Sequence, residues 1–320
     1  MSVYIRACSY FCRMKYSEYQ NNAKSLRSLT GLSPEQFRDL LPYFEEAHNA
    51  YFSEYDMNGN YRNNRRGFVI YKNSPLATVE DRLFFILVYL KNNPLQEYHA
   101  ACFDMDQKHC NSFIRVLYRI LEDCLYDADV MPAEHRKEFG TILKTLSERG
   151  EAVVLLHDGT EREIPRPLDA DLQEENYSGK KKKHTVKNAV IITACCLILF
   201  VSESVSGKTH DKKIADTAYS FPYPCILYQD TGYQGYKPEG VQTEQPVKKP
   251  KGGSLTAEQK DHNRKISSFR VRVEHAIGSA KRMRIVKDEC RLRADNFVAR
   301  IFKTCAALHN FRIKRNPWHY

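Results

Sequence analysis

The chain reads as an α/β layered domain preceded by an all-α helix-turn-helix region. Three observations carry this reading. Apolar residues recur at helical spacing up to about residue 150, and in short strand-like runs beyond it. Two of those runs, Val153-Val154-Leu155-Leu156-His157 and Ile226-Leu227-Tyr228-Gln229, lead directly into an acid, Asp158 and Asp230, with a glycine within two residues. A long basic helical pattern then closes the sequence. Strands in a meander, a crossover helix, a further strand and late helices describe a layered α/β domain.

The helical region comes first. Residues 1–29 are an N-terminal segment, and the helical region spans 30–127. Within Leu32-Ser33-Pro34-Glu35-Gln36-Phe37, Ser33 takes the N-cap, Pro34 the first turn, and Gln36 closes a capping box. Leu32 and Phe37 form its hydrophobic staple, and Phe37, Leu40, Leu41 and Phe44 continue as one apolar stripe. The polar stretch 58–66 reads as a loop. Thr78-Val79-Glu80-Asp81 opens a second helical block, and 83–90 is apolar all round, as in a helix buried within a small bundle. After Asn92-Asn93-Pro94, a short helix over 95–103, a turn at 104–106 and a longer helix over 107–125 give the layout of a helix-turn-helix. The start of its third helix offers Gln107, Lys108, His109, Asn111, Ser112 and Arg115, which can reach base edges or phosphates. An ordinary three-helix bundle with a solvated helix fits the same pattern, and both readings stand at this stage.

Residues 128–152 read as a connecting helix into a domain spanning 153–312. Strands are expected at 153–157, 186–193, 197–204 and 225–229, with a helix over 211–220 between the last two. The Pro-, Lys- and Gly-rich stretch at about 237–254 reads as a mobile insertion. A long helix over 255–283 and a final helix over 296–312 follow, and 313–320 is a tail.

The 320 residues carry a net charge of +10, with a pI near 9.0. Between Arg264 and Arg315 there are 15 Lys/Arg against four acids, a net of +11, so the rest of the chain is close to neutral. Such concentration points to a polyanionic partner, double-stranded DNA above all. The ten cysteines form no CxxC pair or Cys/His finger spacing, which argues against a structural zinc site. The longest apolar stretch, 189–201, is too short to span a bilayer, so no membrane partner is expected. No secretory leader is recognised; a reduced cytoplasmic setting, nucleoid-associated in a bacterium or nuclear in a eukaryote, is expected.

The chemistry-bearing residues follow. Asp158 and Asp230 each sit at the end of an apolar run, where a strand projects a side chain from a rigid scaffold. Asp-Gly is also a common turn dipeptide, so either alone could be mere turn chemistry. Glu274 lies in the basic helix, with Ser267, Arg270 and Lys281 on the same face. The bland reading of that row is a surface salt-bridge ladder. Three converging carboxylates would make a hard-oxygen site for Mg²⁺, and a pair of such ions can drive phosphodiester chemistry. Lys180-Lys181-Lys182-Lys183, beside the expected site, suits phosphate contacts, although such runs are usually solvated loops. His210 is a candidate accessory residue, and Asp211 reads as the cap of the following helix.

Several of these motifs occur together in an order that resembles the DDE transposases, most closely the Harbinger-like group and its bacterial insertion-sequence relatives. They are Asp158-Gly159-Thr160-Glu161 with Ile164-Pro165-Arg166-Pro167, Tyr177-Ser178-Gly179-Lys180-Lys181 with His184-Thr185-Val186-Lys187, Asp230-Thr231-Gly232-Tyr233-Gln234-Gly235, and Arg270 through Glu274 to Lys281. The resemblance implies a ribonuclease H-like catalytic domain over roughly 153–310, with the helix-turn-helix ahead of it. It places metal ligands at Asp158, Asp230 and Glu274, and DNA contacts at Lys187, Arg270 and Lys281. Two Mg²⁺ ions, with Mn²⁺ as a substitute, would serve cleavage at transposon ends and strand transfer into target DNA. A homodimer is expected because two ends must be held together. Bacterial relatives commonly carry Tyr where this chain has Ser267. Two competing readings are a non-catalytic, domesticated DNA-binding protein and a metal-dependent nuclease without strand transfer.

Overall fold

The structure, a computed structural model, describes residues 13–63, 67–150, 152–292 and 297–320. Positions 1–12 of the N-terminal segment and 64–66 of the expected loop lie outside the described residues. The chain divides into two compact units, Met1–Asp127 and Ala128–Tyr320. No helix among the described residues is long and apolar enough to cross a membrane.

The first unit is all helical: α1 (Tyr16–Tyr19), α2 (Ala23–Thr30), α3 (Pro34–Glu54), α4 (Val79–Asn92), α5 (Gln96–Cys102) and α6 (Gln107–Asp127). The start of α3 is the capping box read from sequence, with Ser33 Oγ accepting from Gln36 N and Gln36 Oε1 from Ser33 N. Thr78 caps α4, which is buried from Asp81 to Leu90 as its all-round apolar pattern predicts. Its two buried charges are satisfied. Asp81 accepts from Tyr16 N at 2.9 Å, and Arg82 lies 2.7 Å from His48 Nε2 and over the rings of Phe52 and Phe113. Asn93 ends α4 in a left-handed conformation, at φ 47°. Asp106 starts α6 by accepting from His109 N at 2.8 Å.

The second unit contains α7 (Arg136–Ser147), β1 (Val154–Glu163), α8 (Ala170–Asn176), β2 (Tyr177–Ser178), β3 (Lys183–Thr193), β4 (Ile198–Val201), β5 (Val205–Ser206), α9 (Asp211–Ala218), β6 (Cys225–Tyr228), β7 (Val241–Glu244), α10 (Ala257–Ala280), α11 (Arg284–Lys287) and α12 (Phe297–Arg315). The sheet order is β2-β3-β1-β6-β7, with β4 and β5 both paired to β3. β1 runs antiparallel to β3 and parallel to β6, and β6 runs parallel to β7. Successive strand residues point to opposite faces. Leu155, Ala189, Ile191 and Leu227 therefore cover one face, where Phe139 and Leu143 of α7 and Ile214 and Ala215 of α9 complete the core. On the other face α12 is pinned to β4 by Asn310, which accepts from Ile198 N and donates to Ile198 O, both at 2.8 Å. This mixed, two-sided sheet is the layered α/β class expected of a ribonuclease H-like domain.

Three elements differ from the reading of the sequence. β1 does not stop at His157 but runs through Asp158 to Glu163, because its antiparallel partner β3 keeps pairing as far as Thr185. The stretch read as a mobile insertion holds β7, which adds to the sheet edge beside β6; the surrounding Pro, Gly and Lys residues hide a four-residue strand. In the expected connecting helix, α7 begins only at Arg136, and Ala133 bridges to Phe200 in β4.

Candidate active site

The register of the central strands brings the two aspartates level. In the parallel ladder Leu156 stands opposite Tyr228, so two residues further along each chain Asp158 meets the position of Asp230. β6 has ended by then, and Asp230 opens a single 3-10 turn, Thr231–Tyr233. The side chain of Asp158 is fixed by Gly159 N, which donates to its Oδ1 at 2.8 Å. From α10, Arg270 places Nη2 3.7 Å from Asp158 Oδ2 and Nη1 3.6 Å from Asp230 Oδ1. Its side chain is only 9% exposed, so one buried guanidinium holds both acids.

Burial pushes the Asp158 carboxyl up to about 6, and the charges of Asp230 and Asp211 add to that rise. Arg270 and the Gly159 amide oppose it. As a donor set, two carboxylates beside one another suit a hard divalent cation. Beneath them on the opposite face of β1, His157 packs against Tyr233 in a tilted arrangement with ring centroids 3.7 Å apart, and its Nδ1 lies 2.9 Å from the Tyr219 hydroxyl.

Asp211, read from sequence as a helix cap, is instead the first residue of α9. His210 takes the N-cap position of α9 without a side-chain bond, and the Asp211 carboxylate turns towards Lys187, 3.2 Å away. His210 itself is exposed.

Glu274 stands apart. It is exposed and lines an open hollow of about 390 Å³ with His275, Arg282, Trp318 and Tyr320. Among the described residues, no three His, Cys, Asp or Glu side chains form a ready group for a metal ion. Three cations expected on DNA are also drawn inward, Lys187 among them through Asp211 and the Thr209 carbonyl. Arg270 is held by the aspartates, and Lys281 donates to Glu161 O at 3.2 Å, burial lowering its pKa to about 8. Lys180, Lys181 and Lys182 are exposed in the turn between β2 and β3, while Lys183 opens β3 and pairs with Glu163 at 2.7 Å. On α6, Gln107, Lys108, His109 and Arg115 are exposed, but His109 is paired with Asp106 at 2.6 Å and Asn111 donates to Gln96 of α5 at 3.1 Å.

The layered sheet thus presents two acids side by side from neighbouring strands, Asp158 within β1 and Asp230 just beyond β6. Residues 157–310 match the family described as DDE superfamily endonuclease, and residues 74–127 match the helix-turn-helix of DDE superfamily endonuclease. The chain belongs to the DDE superfamily. It is 28% identical over 240 residues, 75% of this chain and 82% of its counterpart, to the probable transposase for insertion sequence element IS702 of Microchaete diplosiphon. No solved structure matches the chain. The helix-turn-helix match spans α4, α5 and α6, and so decides between that motif and an ordinary bundle.

Proposed function

We propose that this protein is a transposase that cuts DNA at the ends of an insertion sequence and joins the freed end to target DNA. The observation that carries the reading is the pair Asp158 and Asp230, brought level by strand register and facing one buried guanidinium. Divalent cations bound there, Mg²⁺ or Mn²⁺ in its place, would supply an activated nucleophile and neutralise charge on the leaving oxygen. Asp158 and Asp230 would hold them. Glu274, four residues beyond Arg270 and so on the same face of α10, is the third acid that the resemblance supplies. Arg270 balances the aspartates when no cation is bound. Lys180, Lys181 and Lys182 hold backbone phosphates, while Lys187 is turned inward to Asp211 and Thr209, and the start of α6 selects the element's own ends. A dimer holds two ends together.

The test is Mg²⁺-dependent nicking of an end-containing duplex, followed by joining to a target plasmid. Asp158→Asn and Asp230→Asn should each lower nicking by about a thousandfold, equivalent to about 4 kcal/mol, while DNA binding persists. Glu274→Gln should do the same; near-normal nicking by any variant removes that residue from the site. Nicking without joining leaves a nuclease only.

A further inference from the structure

The exposed face of α6 does not end with its first turn. Lys108, Ser112, Arg115 and Arg119 stand at i, i+4, i+7 and i+11, so they form one row along the helix. Lys108, Arg115 and Arg119 are exposed. At the far end of the row the Arg119 guanidinium lies over the rings of Tyr51 and Tyr55, 5.6 and 5.3 Å from their centroids. Those rings belong to α3 and to a tight hairpin that follows it. Tyr55 bridges to Tyr61, Asp56 N donates to Asn60 O at 2.9 Å, and Arg62 N donates to Glu54 O at 2.8 Å. Asp56 Oδ1 accepts from Asn58 N and Asn60 N at 2.8 and 2.9 Å, and Gly59 makes the turn at φ 81°. The tip is thus ordered in advance, and it presents Asn58, Asn60 and Tyr61, the last 73% exposed. Tyr55 Oη donates to Tyr61 Oη at 3.1 Å, which leaves the Tyr61 hydroxyl its own proton for an outside acceptor. An arginine held over aromatic rings has already given up much of its freedom, and its N–H groups suit a phosphate. Arg119 lies about 18 Å along α6 from Gln107, at 1.5 Å per residue. A helix whose first turn meets base edges in a groove about 12 Å wide carries its later turns out to the phosphate wall. The nearby acids do not interrupt the row: Asp56 is engaged within the hairpin, Glu54 precedes it, and Asp123 lies a turn beyond Arg119.

We propose that Arg119 and the hairpin at 55–62 form a second DNA contact, which grips backbone phosphates beside the groove entered by the start of α6. The hairpin lies outside the matched helix-turn-helix, which begins at residue 74. The proposal rests on the reading of α6 as the DNA-binding helix, and it extends that surface along one continuous, positively charged row. Neutral donors at the hairpin tip add hydrogen bonds to phosphate without reading sequence. The competing accounts are a structural clasp that ties the hairpin to α6, and a contact patch between two copies of the chain.

Binding of the full chain to end-containing and scrambled duplexes over a salt series separates them, with melting curves and sedimentation for each variant. Arg119→Gln should weaken binding to both duplexes about tenfold and flatten the slope of log affinity against log salt by about 0.9, with the preference for the end sequence intact. Tyr61→Phe, which keeps the ring, should weaken both several-fold and leave the slope unchanged, because it removes a donor and no charge. Wild-type affinity and slope in folded Arg119→Gln overturn the proposal: a lowered melting temperature then marks a clasp, and weakened self-association marks an interface between copies. A lost end preference in Arg119→Gln would put that residue on base edges and overturn its phosphate role. If Arg119→Gln fails to fold, Tyr61→Phe decides, and wild-type affinity in that variant overturns the hairpin contact. A wild-type chain that binds neither duplex would sink the DNA-binding reading of α6 itself, and this contact with it.

Discussion

Arg270 is the residue whose role changes most between sequence and structure. In sequence it belongs to a basic row that could face DNA, yet the fold buries it between Asp158 and Asp230. A buried cation serving two acids acts as an internal counter-charge, and removing it leaves carboxylates that repel one another. Arg270→Gln should therefore lower stability in EDTA by about 1–3 kcal/mol, discounted for the exposure of Asp230. Added Mg²⁺ should then raise the melting temperature of the variant more than that of the wild type, because the ion replaces the lost charge. Equal Mg²⁺ shifts in the two proteins would show that Arg270 and the cation do not share a place.

At the scale of elements, the two DNA-facing features do different work. The α6 start exposes Gln107 and Lys108 beyond a cap in which Asp106 already engages His109. The β2–β3 turn exposes Lys180, Lys181 and Lys182. Gln107→Ala with Lys108→Ala should erode the preference for end sequences over scrambled duplexes, because base edges carry the sequence information. Alanine at the three turn lysines should weaken binding to every duplex and flatten the slope of log affinity against log salt by about 0.9 for each phosphate no longer neutralised. Equal weakening on both duplexes from the α6 changes would make that helix a scaffold. Local signals made much of this architecture legible: the Ser33 and Thr78 caps name their helices because a cap is decided within four residues. Strand limits were not legible, because pairing is non-local. The polar run from Asp158 to Glu163 becomes strand only because β3 lies beside it, and β7 only because β6 offers an open edge. The site divides similarly. Asp158 and Asp230 announce themselves at the ends of apolar runs, whereas the inward pairing of Lys187 with Asp211 and the surroundings of Glu274 depend on which elements the fold sets beside them.

For the molecule as a whole, charge is both a tool for binding and a burden. The chain carries +10 before any histidine is protonated, and part of its basic C-terminal third, Arg270 and Arg312, is buried rather than displayed. Three buried histidines away from the aspartates then set its response to acid. Burial lowers His48 to about 4, with the Arg82 charge adding to the effect against an Asn49 hydrogen bond. Burial lowers His99 to about 3 among the rings of Phe85, Tyr89 and Phe103, opposed by a backbone bond at Phe85. Burial lowers His309 to about 4, where Arg312 adds to the fall and the Cys196 carbonyl opposes it. The unfolded chain takes up these protons near pH 6.5 and the folded chain only near pH 4 or below, so unfolding binds protons between those limits. Stability is complete above about pH 6.5 and is lost as the pH falls, by about 2 kcal/mol per histidine between pH 7 and pH 5. Against a total of about 5–15 kcal/mol for a folded domain, that is a large fraction. Melting temperature should fall steeply from pH 7 to pH 5, and His99→Phe, which keeps a ring in an aromatic nest, should make the fall shallower whatever it does to stability at pH 7. The measurement is thermal unfolding of both proteins across that range at fixed ionic strength; parallel curves would mean that His99 takes up no proton on unfolding.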